Sequence, residues 1–298
     1  MRNTRKNTLT ALAFASPWFL GFCIFMVYPL VASIYFSFCD YSVLRPAIWI
    51  GMGNYTHLLH DNIFWTALTN TAVYTVIALP VSLVVALGLA MLLNMKVKGM
   101  AFYRTLFFIP SLVPLVALAV LMQFIFNGQY GILNAILRDF FPFIHSQAFP
   151  PNWLGDPAFS KLVLVFISAW GAGNAMVIYL AGLQDVPVQL YEAADLDGAG
   201  FWAKTRNVTI PMISPVILFN LVMGIIGTLQ VFTVPYVISP TGSPERSIYF
   251  YAMYLYDNAF IYHQMGYACA MGWILFVIIM ILTLLSFRLS ERHVHYGS

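Results

Sequence analysis

Charge is scarce in this 298-residue chain, with 11 acidic and 14 basic residues making up 8% of it. Soluble domains carry about a quarter charged residues, so a soluble globular protein is excluded. Cysteine is scarce too. Cys23, Cys39 and Cys269 show no close pairing of the kind that serves metal or redox chemistry, and are expected to be small buried residues. There is no HExxH, no GxSxG and no paired Cys/His spacing. The six histidines, His57, His60, His145, His263, His293 and His295, all fall in loops or at the ends of apolar runs. No enzyme activity is expected of the chain, and no low-complexity segment, soluble domain or strong tandem repeat is present.

What the chain has in abundance is apolar surface: 61% hydrophobic residues and a mean hydropathy of +0.81. No Asp, Glu, Lys or Arg occurs between Lys6 and Asp40, Asp61 and Lys96, or Arg104 and Arg138. The same holds from Lys161 to Asp185, Arg206 to Glu245 and Asp257 to Arg288. Each interval exceeds the roughly 20 apolar residues of a membrane-spanning helix. The runs are continuous rather than alternating, which favours helices over a barrel. Six spans are expected near 11–38, 68–94, 105–127, 160–183, 214–238 and 265–288. The first follows Arg2, Arg5 and Lys6 as a secretory signal would, but a signal core of about 7–15 residues is far shorter. It is therefore read as a retained helix.

Six spans put both termini on one side. With that side inside, it holds Arg2, Arg5, Lys6, Lys96, Lys98, Arg104, Lys204, Arg206, Arg288 and Arg292, against Arg45, Arg138, Lys161 and Arg246 outside. This asymmetry makes both termini cytoplasmic. The net charge of +3 then reports topology, and nucleic acid is not an expected partner. Exterior connections run near 39–67, 128–159 and 239–264. Pro29, Pro80, Pro110, Pro114, Pro235 and the run Gly171–Gly173 are expected to kink or break spans. Gly266 with Ala270, and Ala268 with Gly272, form small-residue pairs suited to close packing.

No Asp, Glu, Lys or Arg lies at membrane depth, Lys161 and Arg288 standing only at the ends of their spans. Proton-driven carriers usually keep one at membrane depth, so the energy source is expected to lie elsewhere. Against this background "YEAADLDGAG", Tyr191–Gly200, concentrates Glu192, Asp195 and Asp197 in the second cytoplasmic loop. Pro187 and Gly198 bracket a short helix there, and a second helical run carrying Lys204 and Arg206 follows. "GAGFWAKT", Gly198–Thr205, nearly matches a phosphate-binding loop, and "GAGFWA" a dinucleotide fingerprint. Both require a preceding strand, and an apolar helix precedes this segment instead. Two readings stay open from the residues alone: a solvated amphipathic loop, or a knob that docks on a partner through charge and small side chains.

Glu192-Ala193-Ala194, then Asp197-Gly198-Ala199, then Pro211 with eleven residues between it and Ala199, resembles the EAA loop of ABC importer permeases. "PWFLGFCIFMVYPLVASIYFSF", "GMGNY", "YGILN" and "NWLGDP" extend the likeness to carbohydrate-type permeases, the first of the two in maltose and glycerol-phosphate systems. Thr205 departs from the family, which usually has phenylalanine there. The resemblance implies an all-α, type I ABC importer permease fold with six transmembrane helices. Its transmembrane domain would cover 68–288, with an EAA loop at about 185–215, preceded by 1–67 and followed by a tail at 289–298.

It also implies a sugar-transport subunit in a prokaryotic inner membrane. The partners would be a second homologous permease, an ATPase dimer holding ATP and Mg, an extracytoplasmic solute-binding protein, lipid and a small polar solute. No cofactor would be bound by the chain itself. Glu192, Ala193, Ala194, Asp197, Gly198, Ala199 and Pro211 would couple to the ATPase. The implied substrate path involves Ser168, Trp170, Gly171 and Asn174 before the loop, and Asn220, Gly227, Thr228 and Gln230 after it. Interhelical hydrogen bonding is the competing role for Asn220 and Gln230. The lack of Arg and Lys at mid-membrane depth favours a neutral sugar over a phosphorylated one. The rival function is a stand-alone secondary carrier or channel, which would need no EAA loop.

Overall fold

A computed structural model of the chain describes residues 2–95, 97–143 and 150–290. His145, His293, His295, Lys96, Arg292 and most of the expected tail lie outside these. The helices, in chain order, begin with α1 (Arg2–Phe22), a π turn (Cys23–Val27) and α2 (Tyr28–Ser37). A short hairpin, β1 (Cys39–Asp40) and β2 (Ile48–Trp49), leads to α3 (Gly53–His60) and α4 (Asn62–Leu93). Then come α5 (Met100–Phe108), α6 (Leu115–Ile125), α7 (Ile132–Phe143), α8 (Pro157–Trp170) and α9 (Gly173–Gln184). The short α10 (Val188–Leu196), α11 (Phe201–Lys204) and α12 (Ile210–Met212) precede α13 (Ser214–Leu229) and α14 (Thr233–Ile238). The chain closes with α15 (Tyr251–Tyr256) and α16 (Met265–Ser290).

Four stretches are continuous enough to cross a bilayer: Thr10–Ser37, Asn62–Leu93, Ser214–Ile238 and Met265–Ser290. Two more are bent pairs, α5–α6 at 96° and α8–α9 at 44°, giving six when each pair is one span. The second span starts at Asn62, inside the expected exterior connection, because Asn62–Thr66 continue the helix without a break. The sharper bend has a proline cause. Pro114 forces Val113 into an extended conformation (ψ 127°), which ends the 3-10 turn Ile109–Leu112. Pro80, by contrast, sits within an uninterrupted α4. At the other bend Gly171 and Ala172 sit near ψ 8–9°. A Cβ on Gly173 would lie 3.1 Å from Cβ of Ser111, so the two broken spans meet at that glycine.

The chain divides into two units. The first comprises 1–61 and 255–276. Its loop is stapled by Asn54 of the GMGNY turn, whose Nδ2 donates to the carbonyls of Ser37 and Cys39, both at 2.9 Å. Tyr55 Oη donates to Ser37 Oγ at 2.9 Å, and Tyr267 Oη to Asp61 Oδ2 at 2.6 Å. Gly266 packs on the end of α2 and the backbone just beyond it: a Cβ there would lie 2.1 Å from the Cys39 carbonyl oxygen and 3.1 Å from that of Phe36. Cys39 is buried as expected and Cys269 partly so, whereas Cys23 is exposed because the first span turns its side chains outward.

The second unit comprises 62–254 and the chain from 277. Here α4 is the central post, flanked by α8, α9 and α13. A Cβ on Gly224 would come within 2.3 Å of Leu79 Cδ1, so α13 seats directly on α4. Two of the connections expected outside, near 128–159 and 239–264, are held by buried polar staples. Asn134 of YGILN, 1% exposed, donates to the carbonyls of Gly128 (2.8 Å) and Pro151 (3.1 Å). It accepts from Trp153 Nε1 of NWLGDP at 2.6 Å. Asp156 caps α8 by accepting from the Ala158 amide. Asn70 Nδ2 donates to the carbonyls of Arg246 (2.7 Å) and Tyr249 (3.1 Å). Thr71 Oγ1 accepts from the Tyr251 amide at 2.9 Å, and burial raises the phenol pKa of Tyr251.

Candidate functional site

The expected loop helix is α10, which begins after Pro187 and ends at Asp197. Gly198, at φ +73°, occupies the left-handed position that stops it. The Gly198 amide donates to the Asp195 carbonyl (3.0 Å) and the Ala199 amide to the Ala194 carbonyl (2.9 Å). This pair of bonds is a Schellman cap, and it needs glycine at its left-handed residue. The Glu-Ala-Ala and Asp-Gly-Ala triplets are thus one helix and its terminator. Glu192, Ala193 and Asp197 are exposed, and Leu196 projects at 90% exposure.

The return segment runs through α11, a π turn (Thr205–Thr209) and α12, reaching Pro211 and then Pro215 in the first turn of α13. Lys204 Nζ pairs with Asp195 Oδ1, and Tyr191 Oη shares a 3.0 Å hydrogen bond with Thr209 Oγ1. Thr205, the family departure, is buried and donates to the Phe201 carbonyl at 2.9 Å. A bulky aromatic ring is replaced there by a hydroxyl bonded within its own helix. Helix α10 precedes the GAGFWAKT segment, so the strand–loop context of a phosphate-binding loop is missing there.

The expected path residues separate into two groups. Ser168, Gly171, Gly227 and Gln230 line one cavity of about 320 Å³, joined by Tyr74 and Thr233. Ser168 Oγ lies 2.9 Å from Ser82 Oγ, and Tyr74 lines the same cavity. The remaining wall is apolar, including Leu118, Ile167 and Phe232, and Phe232 stacks on Tyr236 with centroids 4.9 Å apart. The cavity opens where the α13–α14 break at Gln230–Phe232 and the α8–α9 break at Gly171 leave the helices incomplete.

The other four fall elsewhere. Trp170 lines two apolar pockets between the α5–α6 and α8 segments. Asn174 is exposed and lines none of the three cavities described here. Asn220 donates to the Val216 carbonyl and Thr228 to that of Gly224, one turn back in their own helix. Tyr74 and Ser82, overlooked in the sequence, are polar residues eight apart in α4. That spacing, near two helical turns, was the available signal.

Residues 78–296 match the family model described as the binding-protein-dependent transport system inner membrane component. The chain belongs to that family. A probable ABC transporter permease protein YesP of Bacillus subtilis is 39% identical over 300 residues, covering 100% of this chain and 95% of that protein. The arabinooligosaccharides transport system permease protein AraP of Bacillus subtilis is 34% identical, covering 93% and 87%. The lactose transport system permease protein LacF of Rhizobium radiobacter is 32% identical, covering 94% and 93%.

In fold, the chain matches a permease chain in the crystal structure of a bacterial alginate ABC transporter in complex with alginate pentasaccharide-bound periplasmic protein. The TM-score is 0.84 at 22% identity, covering 100% of this chain and 99% of that one. The type I ABC permease fold expected from the sequence is therefore observed. This chain is a membrane permease subunit of an ABC transporter.

Proposed function

We propose that this permease forms half of the translocation path of an ATP-driven importer for a neutral sugar or oligosaccharide, coupled to its ATPase through α10. The observation that carries the reading is α10 itself. It is a capped helix with Glu192, Ala193 and Leu196 facing outward, on a segment tied back to the span bundle through Tyr191 and Lys204. Small side chains let a partner's surface approach the backbone, and Glu192 supplies register. In this reading Ala194, Asp197, Gly198 and Ala199 shape and end the helix, and Pro211 starts the last turn before the membrane.

The cavity fits the sugar class. Hydroxyl and amide groups of Ser168, Tyr74, Gln230 and Thr233 offer partners for sugar hydroxyls, while Phe232 and the aliphatic wall suit the apolar ring face. Its lining carries no charged residue, which disfavours phosphorylated or acidic solutes. Arabinooligosaccharides and lactose, named for two of the relatives, are of the same neutral class.

The rest of the transporter follows from the family. A second homologous permease completes the path, an ATPase dimer carries ATP and Mg, and a solute-binding protein delivers from outside. The chain itself holds no cofactor and has no catalytic site of its own. Both termini are cytoplasmic, in a prokaryotic inner membrane, with residues 68–288 as the transport domain between the 1–67 segment and the 289–298 tail. Closure of the ATPase dimer would displace α10 and alternate the access of the cavity. The test is uptake of radiolabelled lactose and of an arabinan-derived oligosaccharide by proteoliposomes. Uptake that requires ATP, both permeases and the ATPase supports the reading. Uptake of either sugar by this chain alone, without ATP, would contradict it.

A further inference from the structure

Helix α10 presents two different faces. Positions 192, 193 and 196 form the outer one, while Tyr191 and Asp195, one turn apart, point back towards the return segment. Of these inner contacts Tyr191 reaches deepest. Its ring packs against the buried cluster where Ala86, Ala90 and Leu93 of α4 meet Met176 and Leu183 of α9. Ile213, just before α13, belongs to the same cluster. The Tyr191 hydroxyl meets Thr209, 5% exposed and set in the π turn that leads into α12. The Lys204–Asp195 pair, with Asp195 62% exposed at its side chain, is a weaker outer strap. Tyr191 thus joins, through one ring and one hydroxyl, the buried cluster and the return segment.

We propose that Tyr191 is the positioning residue that converts displacement of α10 into displacement of the span bundle. The ring carries the push into the α4–α9 cluster, and the hydroxyl keeps α10 in step with the return to α13. Buried close-packed contacts transmit displacement where a solvated strap would give way. This inference rests on α10 being the ATPase docking helix.

The test uses the complete transporter in proteoliposomes and a readout independent of the solute. A Thr233→Cys reporter at the cavity, in a background with Cys23, Cys39 and Cys269 replaced by serine, is reacted with a membrane-impermeant maleimide. The reaction is run with and without ATP plus vanadate. In the reporter alone, nucleotide is expected to change the labelling rate by about tenfold or more. Tyr191→Ala is expected to reduce that change to less than about twofold, with ATPase assembly and basal ATP hydrolysis retained.

Tyr191→Phe keeps the ring and should give an intermediate change. Thr209→Val should match it, and the double variant should be no worse than either, because both remove one bond. A full nucleotide-dependent change in Tyr191→Ala would overturn the inference. If Glu192→Lys still erased the change in that case, the docking reading would survive. If Glu192→Lys also left it intact, the docking reading itself would fail. Should Tyr191→Ala lose the assembled complex, Tyr191→Phe and Thr209→Val decide: a full nucleotide-dependent change in both overturns the proposal.

Discussion

The amide of Ala199 donates to the carbonyl of Ala194 at 2.9 Å, joining the two halves of the family motif by a direct hydrogen bond. That bond forms only because Gly198 between them adopts φ +73°. Gly198→Ala should cost about 1 kcal/mol in local helix stability, from placing a Cβ in the left-handed region. Gly198→Pro should be far worse, since proline cannot take that φ and removes the amide that bonds Asp195. Co-purification of the ATPase with the solubilised complex reads this directly: modest loss for alanine, near-complete loss for proline. Equal retention in both would mean the helix end plays no part in docking.

Uptake kinetics separate the cavity residues from their neighbours. Ser168→Ala and Gln230→Ala should each weaken transport by about 3–30-fold, as expected for a lost hydrogen bond to a buried polar partner. Asn174→Ala and Asn220→Ala should stay within about twofold, because the first lies away from the cavity and the second bonds its own helix. The opposite pattern would place the path elsewhere.

Asn134 holds the YGILN and NWLGDP motifs together through three hydrogen bonds. Asn134→Ala should destabilise that loop by about 2–4 kcal/mol, because two carbonyls and an indole N–H lose their buried partner. Trp153→Phe, which removes only one bond, should cost about 1 kcal/mol. Protease cleavage between residues 128 and 156 in the purified transporter checks both, with faster cutting expected in the order wild type, Trp153→Phe, Asn134→Ala.

Gly266 leaves no room for a side chain, since a Cβ would sit 2.1 Å from the Cys39 carbonyl oxygen. Gly266→Ala should therefore lower the thermal stability of the solubilised chain, by several degrees for a strain of about 1–3 kcal/mol. Gly272→Ala, whose nearest neighbour would be Leu255 Cδ1 at 3.9 Å, should be neutral. The two glycines look alike in the sequence and differ only in what approaches them.

That contrast marks where the sequence is legible. Spans were readable because uncharged intervals of 20 residues have one physical explanation in a membrane. The loop helix was readable because Pro187, the small residues and Gly198 each impose a local geometry. What could not be read was which proline bends its helix: Pro114 turns the chain by 96°, while Pro80 is absorbed within α4. The outcome depends on neighbouring packing, which spacing does not encode. The cavity suffered likewise. Asn220 and Thr228 each donate to the carbonyl one turn behind them and do not line this cavity. Tyr74 lines the cavity beside Ser168, and Ser82 meets Ser168 from α4, contacts that only the fold brings together. Helix α7 (Ile132–Phe143) lies in the connection expected near 128–159.

The most direct test of the central claim is ATP-driven uptake of a labelled neutral sugar by proteoliposomes carrying the complete transporter with Glu192→Lys in this chain. Glu192 is exposed and supports no buried contact, so insertion and folding should match wild type. Uptake is expected to fall by at least about tenfold, from placing the wrong charge at the docking surface. Wild-type uptake with the substitution in place would contradict the coupling role of α10.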